Sequence, residues 1–227
     1  MFESKYEKPS VSIDIALVRY NQGLEVLLGK RNDPIENNKW ALIGGYFFVD
    51  KDQNLMDTVI RTLKTKVNIE NVPYVEQVET VFSKTRDPRG VSGTVLHFAI
   101  MSYDNSIKLA PGSNIAELKW FKMNELPHDL AFDHTELLNK AIQRIKNKVE
   151  YTNLPYLFLN NEFTINELKQ VYDTIRDKIA DKKKFYKWMS DYNFLEKTGT
   201  KRRGAHKPAD LYTMKNKLTL VSFDKVL

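Results

Sequence analysis

"GGYFFVDKDQNLMDTVIRTLKTKVN", residues 44–68, is the stretch on which the fold turns. It continues "KWALIGGYF", an apolar run that reads as a strand broken by Gly44 and Gly45. Beyond the glycines, Leu55, Val59, Leu63 and Val67 recur every four residues, the spacing of one face of a helix that Asn54 or Asp52 can cap.

Working outward, "SIDIALVRY" and "LEVLLGKR" read as two strands joined by the turn "NQG". Two further strands are expected at "YVEQVETVFS" and "TVLHFAIMSY", separated by the polar "KTRDPRGVSG", and a last one at "AELKWFKMNEL". An amphipathic helix follows in "HTELLNKAIQRIKNKVEY", with Leu137, Ala141, Ile145 and Val149 on one stripe. His97 falls within a strand and reads as structural.

At "TNLPYLFLNN" the helical periodicity stops, and residues 151–160 read as a linker. Beyond it, "TINELKQVYDTIRDKI" opens with Thr164 and Glu167 at capping-box spacing and aligns Leu168, Val171, Ile175 and Ile179 on one face. "KKKFYKWMSDYNFL" buries Phe185, Trp188 and Met189 at helical spacing. "LEKTGTKRRGAHKPADLYTM" then reads as strand, basic loop, strand. Helix, helix and two-stranded wing is the order of a winged helix-turn-helix. The expected organisation is an α/β unit over residues 1–150, a linker over 151–160 and a small α+β unit over 161–227.

The formal net charge of +6 resides in the last third, since residues 151–227 hold 15 Lys and Arg against 9 Asp and Glu. That excess suits a polyanionic partner. On the short second helix, Lys182, Lys183, Lys184, Tyr186 and Lys187 occupy positions that the apolar residues leave open, as a recognition helix in a major groove requires. The wing adds Lys201, Arg202, Arg203, His206 and Lys207 around Gly204, and arginines on a wing suit the negative potential of a minor groove. Double-stranded DNA is therefore the expected partner. The absence of cysteine excludes disulfides, thiolate metal sites and a cysteine nucleophile, and no run approaches the length of a membrane span. These features, with a charged first decapeptide, lead to the expectation of a cytoplasmic protein.

The glycine pair and the "RTLK" helix resemble the Nudix box, the signature of enzymes that split nucleoside diphosphates linked to another group. In that box a helix arginine precedes glutamates that hold divalent metal against the diphosphate. With a two-residue insertion after Gly45, Arg61 and Leu63 match the arginine and its aliphatic neighbour. The acid positions read Gln53, Thr62, Thr65 and Lys66. Asp50, Asp52 and Asp57 lack the spacing of a metal cluster. The expectation is a Nudix-like scaffold, a mixed sheet flanked by helices, with no metal site and no hydrolase activity.

A degenerate Nudix-like domain followed by a winged helix resembles the Nudix-related transcriptional regulators of the NrtR family. The resemblance rests on "KRNDP…WALIGGYF", "VPYVEQVETVFSKTRDPRGVSGTVL", "LAFDH" and "FTINELKQVY…TGTKRRGAHKPADLY". It implies a homodimeric repressor of NAD biosynthesis or salvage genes that binds a palindromic operator. ADP-ribose or a related phosphorylated metabolite would release it, with no other cofactor. A sister group of the same layout senses sugars, and a hydrolase of ADP-ribose-like substrates is the rival outside regulation. Arg86 and Arg89, flanking Asp87, can grip a diphosphate through paired guanidinium forks, or pair with Asp87 to shape a turn. Gly44 and Gly45 can let backbone approach a ligand, and Arg31 can face the pocket or solvent. Asp133 and His134 can reach a ribose, although capping the following helix is their simpler role. Trp40, Tyr46, Phe47 and Phe48 are available for stacking on adenine or for the core.

Overall fold

The computed structural model describes residues 8–102, 108–203, 208–215 and 220–222. Its first seven strands form one mixed sheet about β1 (Ser10–Tyr20). Along one edge, the end of β1 pairs antiparallel with β2 (Leu24–Arg31) and its beginning with β4 (Ile43–Tyr46). Along the other edge, β1 runs parallel to β6 (Ser92–Met101) from Ser10 opposite Ser92 to Arg19 opposite Met101. β3 (Trp40–Ala41) and β7 (Ile115–Lys122) add to β2, and β5 (Tyr74–Ser83) adds to β6.

Side chains of β1 alternate between two apolar layers, as a period of two demands. Ile13, Ile15 and Leu17 face α1 (Leu55–Val67), whose Val59, Leu63 and Val67 close that layer. Ala16 and Val18 face α2 (His134–Val149), which contributes Leu137, Ala141, Ile145 and Val149. Each of the Val, Leu and Ile side chains contributes about 1.5–3 kcal/mol on burial. Asn54 caps α1 in a reciprocal box with Asp57, and Asn68 ends the helix with a left-handed φ of 60°.

Within residues 151–160, expected as a linker, residues 152–158 are buried while Tyr151 and Asn160 are exposed. Leu154–Phe158 form a 3-10 turn in which all five residues are buried. Pro155 breaks the helical period, but Leu154, Leu157 and Phe158 are apolar enough to be drawn inward regardless. The layer under α2 thus continues into the following helices through Phe163, Leu168, Val171, Tyr172 and Phe185.

Those helices are α3 (Ile165–Arg176) and α4 (Lys182–Tyr192), followed by an antiparallel wing of β8 (Leu195–Arg202) and β9 (Ala209–Met214). Thr164 and Glu167 form the expected capping box. The apolar face of α3 ends sooner than its period suggests, for Ile179 is 91% exposed. Asp177 turns left-handed, and the Asp173 carboxylate accepts from the Ala180 amide at 2.9 Å, which stops the helix at Arg176, three residues before Ile179. Among the described residues no helix is long and apolar enough to cross a membrane.

Candidate functional site

A cleft of about 440 Å³ opens where β1, β4, the outer face of α1 and the start of α2 converge. Six cationic side chains line it, Arg31, Lys51, Arg61, Lys66, Arg86 and Arg89, against Asp14, Asp33 and Asp87. Of the residues expected to touch a ligand, Arg31, Gly44, Gly45, Arg86, Asp87, Arg89 and His134 lie on its wall, and Asp133 lies just behind. The balance of charge suits an anion.

Gly44 and Gly45 are explained by close approach of protein to protein. A Cβ on Gly44 would lie 2.4 Å from Asp14 Oδ1 and 3.0 Å from the Ile13 carbonyl, and one on Gly45 would lie 2.5 Å from Thr62 Oγ1. The pair thus lets α1 and the Asp14 carboxylate close on the strand.

Arg86 is a buried hub. Its Nε donates to Asp133 Oδ2 at 3.0 Å, and its Nη2 donates to Asp133 Oδ1 at 3.0 Å and Asp14 Oδ2 at 3.2 Å. Asp133 holds the N-cap position of α2 yet makes no side-chain cap bond. The capping role expected of it is therefore absent, because its carboxylate is turned to a guanidinium 47 residues away in sequence. α2 itself begins at His134, whose Nδ1 accepts from the Leu42 amide at 3.0 Å while Nε2 lies 3.5 Å from Asp14 Oδ1. Burial pushes the His134 pKa down, leaving a neutral ring with its proton on Nε2 toward Asp14.

The expectation that Asp87 and the arginines shape a turn holds for one arginine. Arg89 donates from Nε and Nη2 to Asp87 at 2.8 and 2.6 Å, and its guanidinium holds the Asp87 carboxyl below the usual range. Arg31 donates to the Ile35 carbonyl at 3.0 Å and lies 3.3 Å from Asp33. Between Arg31 and Arg89 stands Phe132, with guanidinium carbons 4.8 and 5.7 Å from its ring centre. Sequence reasoning missed Phe132. It takes a left-handed φ of 54°, a costly conformation for a bulky residue, and no periodicity announces it. Tyr46 and Phe48 also line the cleft, whereas Trp40 packs edge-on against Phe121, 4.8 Å between ring centres, and Phe47 is off the wall.

The acids near the box are committed elsewhere. Asp52 accepts from Arg61 Nε and Nη2 at 2.7 and 2.5 Å, from the Phe48 amide and from the Thr58 hydroxyl. Asp57 accepts from the amides of Gln53 and Asn54. Thr62, Thr65 and Lys66 face the cleft in the box positions, and Thr62 Oγ1 is buried with no hydrogen-bond partner among the described residues. Among the described residues no group of three or more His, Asp or Glu could hold a metal ion.

At the far end of the chain, α4 buries Phe185, Trp188 and Met189 and turns Lys182, Lys183, Lys184, Tyr186 and Lys187 outward. Tyr186 donates to Asn166 Oδ1 at 3.0 Å, tying α4 to the start of α3, and Lys187 pairs with Asp191 at 2.8 Å. On the wing, Lys201 and Arg203 are exposed, while Arg202 pairs with Glu167 of the α3 capping box and donates to the Glu162 carbonyl. His206 and Lys207 lie outside the described residues.

A Nudix cleft with a close-packed glycine pair and a helix-turn-helix with a wing define a two-part ligand-sensing and DNA-binding architecture. The NUDIX domain model matches residues 10–141 and the NrtR DNA-binding winged helix domain matches residues 155–214. The "ADPR responsive transcriptional repressor NtrR" of Acinetobacter baylyi is 36% identical over 92% of this chain and 84% of its own. The crystal structure of Shewanella oneidensis NrtR complexed with a 27mer DNA is 34% identical, covers 96% of this chain and 99% of its own, and superposes with a TM-score of 0.84. The NUDIX domain of that protein, complexed with ADP ribose, is 32% identical over 63% of this chain and 94% of its own, with a TM-score of 0.57. The chain belongs to the NrtR family.

Proposed function

We propose that this protein is a transcriptional repressor of NAD biosynthesis or salvage genes, that its cleft binds ADP-ribose, and that this binding releases operator DNA. The observation that carries the reading is one cleft lined by six cationic side chains, in a fold that would otherwise present acids to a metal ion. Residues 1–150 sense the effector, 151–160 join the two units and 161–227 grip DNA. In the cleft, Arg31, Arg89 and Asp87 meet the ligand. Arg86, Asp133 and His134 hold the wall in shape, and Gly44 and Gly45 let it close. Phe132 offers a ring for stacking.

On DNA, Lys182, Lys183, Lys184, Tyr186 and Lys187 approach the major groove, with Lys201, Arg202 and Arg203 on the wing. A palindromic operator requires two-fold symmetry, so the working form is a homodimer. Effector releases DNA by favouring the dimer geometry that no longer matches the operator, which requires it to bind that geometry more tightly.

The cleft binds without turning over. Incubation of the protein with ADP-ribose and Mg²⁺, read by chromatography and by melting temperature, tests this. Thermal stabilisation that grows with ADP-ribose, with no AMP released, is the expected result. Steady release of AMP would make the protein a hydrolase.

A further inference from the structure

The Nudix fold family implies a divalent cation held by helix glutamates, and the donors here do not fit one. Thr62, Thr65 and Lys66 stand in those positions, while Asp52 and Asp57 are spent on Arg61 and on backbone amides. What α1 offers instead is an ammonium group. Lys66 lies in the last turn of α1, where the helix dipole favours a cation, and it lines the cleft beside Thr62 and Thr65.

The amine is held in place before any ligand arrives. Lys66 Nζ donates to the Ser113 carbonyl at 2.6 Å and lies 3.3 Å from Ser113 Oγ. The Lys66 carbonyl accepts from the Gly112 amide at 3.0 Å. Gly112 sits so close to the helix that a Cβ there would lie 1.9 Å from the Thr65 carbonyl. Helix and loop are thus locked together, and of the three ammonium protons at least one remains for the cleft. Burial, aided by the positive charge of Arg31, pulls the Lys66 pKa below the usual lysine value. An arriving anion relieves both penalties.

We infer that Lys66 takes the place of the missing divalent cation and contacts the diphosphate directly, so that the effector binds metal-free. The inference rests on the ADP-ribose reading above. It concerns how the diphosphate is neutralised, with an amine fixed at one point in place of an ion shared among carboxylates.

Calorimetric titration of ADP-ribose into the full chain, in Mg²⁺ and again in EDTA, tests it without any substitution. The expected affinities agree within about twofold. The K66M variant is then expected to bind at least roughly tenfold more weakly, the value of one charge-assisted hydrogen bond, and K66R to recover most of the loss. Binding that disappears in EDTA, or a K66M protein as tight as the wild type, would overturn the inference and leave the effector reading standing. A wild-type chain that binds no ADP-ribose in either buffer would remove the effector reading itself, and this inference with it.

Discussion

Arg61 and Asp52 form a two-bond ion pair, Nε to Oδ1 at 2.7 Å and Nη2 to Oδ2 at 2.5 Å, in which the box arginine holds an aspartate nine residues upstream. The same Nη2 donates to the Tyr46 carbonyl at 2.7 Å, so one side chain joins α1, the loop before it and the strand of the glycine pair. This arginine is therefore an architectural part of the cleft, and the carboxylate beside it is unavailable to a metal.

That pair sets a pH limit. The Arg61 guanidinium holds the Asp52 carboxyl well below the usual carboxylate range, helped by the Phe48 amide and Thr58 hydroxyl against the opposing effect of burial. A depressed carboxylate stabilises the fold above its unfolded pKa of about 4 and ceases to as the pH falls through its folded value. Urea midpoints recorded from pH 5 to pH 2 should fall steeply for the wild type and more gently for D52N, which starts lower. Parallel curves would show that Asp52 is not a source of the acid sensitivity.

The buried histidines act in a higher window. Burial lowers the pKa of both His134 and His97, whose Nδ1 donates to the Val95 carbonyl at 2.9 Å. The folded protein binds fewer protons than the unfolded chain near pH 6, so stability is full above about 6.5 and is lost as the pH falls below it. H97Q should flatten the urea midpoint between pH 7.5 and 5.5, whereas an unchanged slope would place the titration elsewhere.

The glycine pair predicts a rescue. G45A should cost about 1–3 kcal/mol by forcing a methyl against Thr62 Oγ1, which would lie 2.5 Å away. With T62A in the same chain the nearest obstacle becomes the residue 62 Cβ at 3.6 Å, an ordinary contact. The double variant should regain most of the loss in a denaturation cycle, and additive losses would contradict the packing account.

Arg86 and Arg89 should separate by phenotype. R86M leaves Asp14 and Asp133 without their shared guanidinium and should cost about 3–5 kcal/mol of stability, visible in thermal melts before any ligand is added. The Arg89 side chain is 40% exposed, and among the described residues its ion pair is with Asp87 of the same loop. R89A should leave the melting temperature nearly unchanged and weaken ADP-ribose binding. Equal melting temperatures for the two variants would place Arg86 outside the framework.

On α4, K183A and K184A should each weaken DNA binding across sequences and reduce the slope of log affinity against log salt by about 1. Both side chains are exposed on the outward face. A salt slope equal to that of the wild type in both variants would remove that face of α4 from the DNA.

Much of this architecture is legible in the sequence because it is written in short periods. Leu55, Val59, Leu63 and Val67 announce α1, and Thr164 with Glu167 announces the start of α3. What is not legible depends on partners distant in sequence. Asp133 looks like a helix cap until Arg86 arrives from another loop, and Ile179 continues a stripe that the Asp173 to Ala180 contact cuts off. Residues 151–160 carry the local marks of a linker, and only the assembled core reveals that Leu154 and Phe158 fill it. Phe132 is hidden as well, since the arginines that flank its ring, Arg31 and Arg89, come from distant parts of the chain.

The central claim joins the two ends of the chain, and fluorescence polarisation tests it most directly. The measurement is binding to DNA from upstream of the protein's own gene, against scrambled DNA, at one salt concentration, with and without ADP-ribose. The account predicts binding specific to the native sequence that declines as ADP-ribose rises. Specific binding that saturating ADP-ribose leaves unchanged, or binding no tighter than to scrambled DNA, would contradict it.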